Sequence, residues 1–305
     1  HDLGVVAGYC EHTIVLERGK VVETGPTTSL FAAPRHAHTR RLLAAAPRVD
    51  RGEPPAPVTA RPLLSVSDIE VRYDKLTAVD DVGFAVRTGE TVAIVGESGS
   101  GKSSLVRAIL GLVPADSGRV IFAREALDGT TAQRSLAVRR DLQLVYQDPT
   151  SALNPQMRVQ TIVEEPLVVH EPGLGADDRR ARVSAILQRV GLGDKHLRRY
   201  PHELSGGQAQ RVAIARALVL EPQVLVCDEA VAALDGSVRE QVLDMLREVQ
   251  RDTGLSIIFI SHDLAVVRSL SHRVLVMYMG RLVELADSAA LFARPRHPYT
   301  RALLD

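Results

Sequence analysis

Short apolar runs alternate with stretches of helical period along most of this chain. Thr91–Val95 is a near-continuous apolar run stopped by Gly96, the pattern of a strand buried on both faces. Leu64–Tyr73 and Ala78–Val86 are rich in β-forming residues, with turn-prone residues between them. Leu142–Tyr146, Val224–Cys227, Ser256–Ile260 and Val274–Met277 predict further strands. Helical periodicity runs over Ser103–Leu112, Asp177–Val190, Gly207–Leu220, Ser237–Asp252 and Leu264–Leu270. Strands alternating with helices predict an α/β fold around a mostly parallel sheet covered on both faces. The polar, helix-rich stretch of about 157–203 breaks the alternation and reads as an inserted helical subdomain.

The pattern also repeats. An offset of 261 positions lays His1-Asp2-Leu3 on His262-Asp263-Leu264, Val22-Glu23 on Val283-Glu284, and Leu30-Phe31-Ala32 on Leu291-Phe292-Ala293. Pro34-Arg35-His36 falls on Pro295-Arg296-His297, and Leu42-Leu43 on Leu303-Leu304. The register holds without a gap over 44 residues with 19 identities, which helix composition alone would not produce. Residues 1–46 are therefore expected to be the C-terminal remnant of a preceding domain, in a chain cut from a longer tandem protein. Residues 47–62 hold five prolines in sixteen positions and read as an extended linker. Residues 63–305 would then be one complete domain.

Composition narrows the function. Thirty-seven basic and 37 acidic residues cancel, which argues against a dedicated nucleic-acid binder. No apolar stretch approaches the roughly 18–20 residues that span a bilayer. Cys10 and Cys227 cannot build a disulfide framework or a four-thiolate metal site. The start, His1-Asp2-Leu3, lacks the basic n-region of a signal peptide. Lysine occurs only at 20, 75, 102 and 195, so each lysine merits inspection.

Three motifs carry chemistry. Gly96-Glu97-Ser98-Gly99-Ser100-Gly101-Lys102-Ser103, followed by Ser104, joins a predicted strand to a predicted helix. Its glycines let backbone N–H groups turn inward onto phosphate oxygens at a helix N-terminus. Lys102 suits the β- and γ-phosphates, and the Ser103 hydroxyl suits Mg²⁺. Val224–Cys227 runs into Asp228-Glu229, an acid pair at a strand's carboxyl end, where ligands bind in α/β sheets. Asp228 would hold Mg²⁺ through water and Glu229 would take a proton from an attacking water. The third motif, Leu204-Ser205-Gly206-Gly207-Gln208, opens a helix. Taken alone it is an N-cap, and with a phosphate loop elsewhere it is a second anion site. One nucleotide does not need two such sites in one domain, so the second suits a nucleotide held by another domain.

The order and spacing of these motifs resemble the ATPase domains of ABC transporters. The resemblance implies a P-loop fold with a RecA-like core, an antiparallel β subdomain and the helical insertion. It also implies ATP and Mg²⁺ as ligands. By that resemblance Tyr73 stacks on adenine, and Gln147 touches Mg²⁺ and the γ-phosphate while sensing a membrane partner. Asp235 is the aspartate of a loop at the domain interface, and His262 contacts the γ-phosphate, with His1 its counterpart in the preceding domain. Ala232 departs from the family, which often has serine there. Arg296–Leu304 and Gln147-Asp148-Pro149…Leu153-Asn154-Pro155 resemble importers of dipeptides, oligopeptides, nickel and glutathione. The importer-type tail spans about 287–305. Some relatives carry an iron–sulfur site in this tail, but neither tail copy has the cysteines for one.

The resemblance implies two ATPase domains closing over two MgATP, with Ser205 and Gly207 completing the opposite domain's site. Glu229 would activate water while Gln147 and His262 position it, and Lys102, Ser103 and Asp228 would hold phosphate and metal. Expected partners are a second ATPase domain, permease subunits and, indirectly, a solute-binding protein, at the cytoplasmic face of the inner membrane and without nucleic acid. The alternative is a soluble ABC ATPase acting on DNA or ribosomes. Neutral charge, a short helical insertion and a proline linker weigh against it.

Overall fold

A computed structural model of the protein describes residues 6–7, 10–17, 19–44, 54–127, 129–232, 234 and 236–304. These fall into two compact units, one within residues 1–48 and one within 49–305. His1 and Asp235, both singled out above, lie outside the described residues, as do 47–53 of the expected linker.

Among the described residues from 10 to 44, the first unit is a hairpin followed by two helices. Strands β1 (His12–Glu17) and β2 (Lys20–Pro26) pair antiparallel with a register shift between Val15 and Leu16. Helices α1 (Thr27–Ala32) and α2 (Ala37–Ala44) follow, and Val15, Leu30 and Leu43 are buried. Glu23 in β2 accepts the N–H groups of Arg35 (2.8 Å) and His36 (3.0 Å), clasping the chain between the two helices.

In the second unit, β3 (Pro62–Tyr73), β4 (Leu76–Arg87) and β5 (Thr91–Val95) come first, and β5 feeds helix α3 (Lys102–Ile109). Then come β6 (Ser117–Phe122), β7 (Glu125–Ala126), helix α4 (Leu136–Asp141) and β8 (Leu142–Val145). A run of helices follows: α5 (Pro149–Ala152), α6 (Val159–His170), α7 (Ala176–Arg189) and α8 (Gly206–Leu218). Strand β9 (Val224–Asp228), helix α9 (Gly236–Thr253), strand β10 (Ser256–Ile260) and helix α10 (Leu264–Leu270) restore the alternation. The unit ends with β11 (Arg273–Tyr278), β12 (Arg281–Asp287), α11 (Ser288–Ala293) and α12 (Pro298–Leu304).

Two sheets organise this unit. Six strands lie in the order β12-β11-β5-β10-β9-β8, parallel except for the edge strand β12. Four lie antiparallel in the order β4-β3-β6-β7. Successive residues of the central strands face opposite ways and are buried on both sides. Leu225, Cys227, Ile257 and Phe259 join the core under the helices, with Ile162, Leu187 and Ile214. Val224, Val226, Ile258 and Ile260 join the core shared with α3 and the antiparallel sheet, with Leu64, Val79 and Leu105. That two-sided burial is why these runs read as unbroken apolar stretches.

The α/β class and its predicted strands are present, with small differences at the ends. The structure adds β6, β7 and the edge strand β12, none of them flagged by an apolar run. β6 begins Ser-Gly-Arg and is exposed over its first three residues. β12 is half-covered along most of its length. Elements that bury one face only partly leave a faint hydrophobic signal. Residues 157–203 hold α6, α7 and two 3-10 turns, Asp194–His196 and Pro201–Glu203.

The last four elements repeat the first unit. β11 and β12 have the register of β1 and β2, and their shift falls between Val276 and Met277, 261 positions after Val15 and Leu16. Glu284 accepts the N–H groups of Arg296 and His297, both at 2.9 Å, as Glu23 does those of Arg35 and His36.

Candidate functional site

The site is built at the carboxyl edge of the six-stranded sheet. β5 ends at Val95, and the chain turns through residues 96–101 into α3. Two glycines make that turn possible. Gly96 has φ 145°, and a Cβ there would sit 2.2 Å from the Met277 carbonyl oxygen. Gly101 has φ 100°, and a Cβ there would sit 2.2 Å from the Ala78 carbonyl oxygen. The loop is threaded between the backbones of β4 and β11, where no side chain fits.

The Lys102 ammonium folds back under this loop. It donates to the carbonyls of Gly96 and Glu97, each at 2.7 Å, and to Ser100 Oγ at 3.4 Å. The side chain is buried, and burial holds its pKa below the ordinary lysine value although Glu229 and Asp228 pull it up. The helix start adds partial positive charge, since N-cap Gly101 offers no side chain to the first free N–H groups. Ser103 donates to Asp228 Oδ1 at 3.3 Å, joining the loop to the end of β9. Burial pushes the Asp228 carboxyl up and Glu229 reinforces this, while the Ser103 hydrogen bond, Arg107 and Lys102 oppose it.

Glu229 follows β9 and gathers two further residues. Gln147, just past β8, donates its amide to Glu229 Oε2 at 2.8 Å. His262, just past β10, brings Nδ1 to 3.7 Å of the same oxygen, and its side chain is 66 % exposed. Three neighbouring parallel strands thus deliver an amide, a carboxylate and an imidazole to one point. Glu229 is held there in the left-handed region at φ 48°, with its N–H donating to the Ile260 carbonyl at 3.1 Å. Such a backbone costs on the order of 1–3 kcal/mol and persists where surrounding structure enforces it.

The Ser-Gly-Gly-Gln motif stands apart from these residues. Ser205 caps α8 by accepting the Gln208 N–H at 3.3 Å, and the Gln208 side chain returns the bond to the Ser205 N–H at 3.2 Å. Gly207 packs on Val238, where a Cβ would come within 2.7 Å of Cγ1. Ser205, Gly206, Gly207 and Gln208 line a surface cavity of about 610 Å³ that also takes in Lys195 and Arg211. No hydrogen bond joins Ser205–Gln208 to the phosphate loop among the described residues. Tyr73 ends β3 and is exposed, as are Glu97, Ser98 and Gly99, while Ser104 is half-buried in the first turn of α3.

Sequence reasoning gave three residues near these motifs no role. Lys195 was marked by rarity, but neither it nor Arg211 belongs to a motif. The third is Tyr299 in α12, whose hydroxyl accepts the Glu97 N–H at 2.9 Å. Spacing along the chain could not reveal a contact across 202 positions.

Known proteins resemble this chain in sequence and in fold. A family model described as "ABC transporter" matches residues 79–232. One described as "Oligopeptide/dipeptide transporter, C-terminal region" matches both 22–64 and 283–305, the two copies of the tail. The chain is 42 % identical over 339 residues to the glutathione import ATP-binding protein GsiA of Escherichia coli strain K12, covering 100 % of this chain and 54 % of that protein. The homologue of the same name in Shigella flexneri gives the same figures. The chain therefore spans about half the length of the curated relatives it matches. Among solved structures, cbiO1 of Clostridium perfringens, described as part of the ABC transporter complex cbiONQ, superposes with TM-score 0.69 and 32 % identity, covering 76 % of this chain and 91 % of that one. The dimeric bacterial ABC transporter cassette MJ0796 gives 0.67 and 28 %, covering 74 % and 98 %. No helix among the described residues is long and apolar enough to cross a membrane.

Proposed function

This chain belongs to the ABC transporter family, and from that premise we propose that residues 63–305 bind and hydrolyse ATP to energise import of a peptide or a related small solute such as glutathione. One observation carries the reading. A buried ammonium beneath a glycine loop, a hydroxyl–carboxylate pair, and a carboxylate met by an amide and an imidazole all stand on one sheet edge.

Each group has a task in phosphoryl transfer, which depends mainly on positioning and electrostatics. The loop N–H groups and Lys102 would hold phosphate oxygens, with Tyr73 against the base. The Ser103 hydroxyl and the Asp228 carboxylate, 3.3 Å apart, are hard oxygen donors that suit Mg²⁺, and the Gln147 amide oxygen would add a third. Mg²⁺ bound there would neutralise charge on the phosphates. Glu229 would accept a proton from water at its carboxylate, held in place by Gln147 and His262. Ser205–Gln208, with Lys195 and Arg211 around them, would present N–H groups and positive charge to a nucleotide held by another domain, and Asp235 would lie at that interface.

The repeat supports reading residues 1–46 as the end of a preceding ATPase domain and 47–62 as the linker. The partners on this reading are a second ATPase domain and permease subunits at the cytoplasmic face of the membrane. A solute-binding protein takes part indirectly, and no nucleic acid is involved.

The test is Glu229→Gln in the longer tandem protein. That variant should bind ATP with the parent's affinity and lose at least about a hundredfold in turnover. Turnover at the parent's rate would remove Glu229 from the chemistry. Recovery of the tandem protein with a membrane permease supports transport, and recovery with ribosomes or DNA would replace it with the soluble alternative.

A further inference from the structure

The tail that ends the chain reaches back to the phosphate loop. Tyr299 stands in the first turn of α12, and its hydroxyl accepts the Glu97 N–H at 2.9 Å. Other contacts fix that hydroxyl in space. The Tyr299 ring lies against Tyr278, the last residue of β11, with centroids 4.3 Å apart. The Tyr299 N–H donates to His297 Nδ1 at 3.2 Å, and the His297 N–H is itself held by Glu284 at 2.9 Å. Carboxylate, imidazole and phenol thus form a bracket running from β12 to the loop.

The loop end of the bracket bears on Lys102. The N–H of Glu97 and the carbonyl of Gly96 belong to one planar peptide unit, so fixing one fixes the other. That carbonyl is one of the two 2.7 Å acceptors of the Lys102 ammonium, and Glu97 supplies the other. Gly96, at φ 145°, gives the plane freedom that a residue with a Cβ would not have. The Tyr299 hydroxyl removes that freedom.

The earlier copy of the tail shows that the phenol is not needed for the tail to fold. Its hairpin, bulge and carboxylate clasp are the same. Yet Glu17 and His38 stand where Tyr278 and Tyr299 do, with His38 Nδ1 3.3 Å from Glu17 Oε1. The carboxylate and imidazole of the bracket are common to both copies, and the tip differs.

We infer that Tyr299 is a positioning residue of the nucleotide site, acting on Lys102 through the Gly96–Glu97 peptide. The inference rests on the nucleotide reading above. Its test compares Tyr299→Phe, Tyr299→Ala and Lys102→Ala in the present chain, by equilibrium binding of ATP with Mg²⁺ and by thermal unfolding. Tyr299→Phe keeps the ring stack and should leave the unfolding midpoint in place while raising the Kd for ATP roughly two- to tenfold, the loss of one hydrogen bond. Tyr299→Ala should worsen both, and Lys102→Ala should weaken ATP binding more than Tyr299→Phe does. Parental affinity in Tyr299→Phe, with binding lost in Lys102→Ala, overturns the role of Tyr299 and leaves the nucleotide reading standing. A Tyr299→Phe midpoint that falls together with affinity makes the tyrosine merely structural and also overturns it. Undiminished binding in Lys102→Ala overturns both readings.

Discussion

Three loop glycines look alike in the sequence and differ in what they tolerate. Gly96 and Gly101 would drive a Cβ to 2.2 Å of a backbone oxygen, whereas Gly99, also at positive φ (83°), has nothing within 4 Å. Gly101→Ala is therefore expected to destabilise by about 2–4 kcal/mol, from backbone strain plus the clash, and Gly99→Ala by about 1 kcal/mol. Denaturant unfolding of the two variants checks the difference, and equal losses would contradict it. The loop's glycines were legible because their spacing before Lys102-Ser103 has a mechanism. Their ranking was not, because it depends on Ala78 and Met277, distant in sequence. The same holds for Glu229, whose acid chemistry reads from Asp-Glu after a strand. Its left-handed backbone, tied to Ile260, does not.

At the level of elements, the tail is held by a carboxylate in place of a longer helix or a larger core. The Thr39 hydroxyl is the largest influence on Glu23, although it falls outside strict hydrogen-bond geometry, and the Arg35 amide comes next. With the smaller contributions of His36, and against burial, they lower the Glu23 carboxyl from 4.5 to about 2. A carboxyl whose pKa is depressed on folding stabilises fully above its unfolded value. The clasp should therefore hold above pH 4.5 and loosen as pH falls towards about 2. A carbon-13 titration of the Glu23 carboxyl should show its midpoint near 2 in the parent and higher in Thr39→Val; a parental midpoint at the ordinary value would refute the clasp. In its counterpart Glu284, burial raises the carboxyl, but Thr300 and the His297 and Arg296 amides outweigh it and the net shift is also downward. Fully buried strands such as β5 and β10 were legible from their apolar runs. β6 and β12 were not, since each leaves polar residues on a partly open face. The repeat itself was legible because both copies keep the residues that build the clasp: Glu23 with Pro34-Arg35-His36, and Glu284 with Pro295-Arg296-His297.

For the molecule as a whole, the candidate site residues fall in two separate places. The phosphate loop, Asp228, Glu229, Gln147 and His262 are linked by direct contacts, and Ser205–Gln208 keep to their own cavity. On the proposed function, a lone nucleotide site is completed only when a second domain brings that cavity to it. ATP turnover per chain should thus rise with protein concentration, as chains pair. Turnover that stays constant across a hundredfold dilution would mean that one chain completes its own site. On the proposed function the neutral total charge is compatible with anion binding, because the groups invoked are local: one lysine under a loop, and two helix starts.

The matched hairpins have one more consequence. Their frame is the same down to the position of the bulge, while the residues at the tip are a phenol pair in one and an imidazole–carboxylate contact in the other. The tail is thus an interchangeable part with a variable contact point. On the proposed function, two paired domains could in this way differ at the rim of their nucleotide sites, with Tyr278 and Tyr299 in one and Glu17 and His38 in the other.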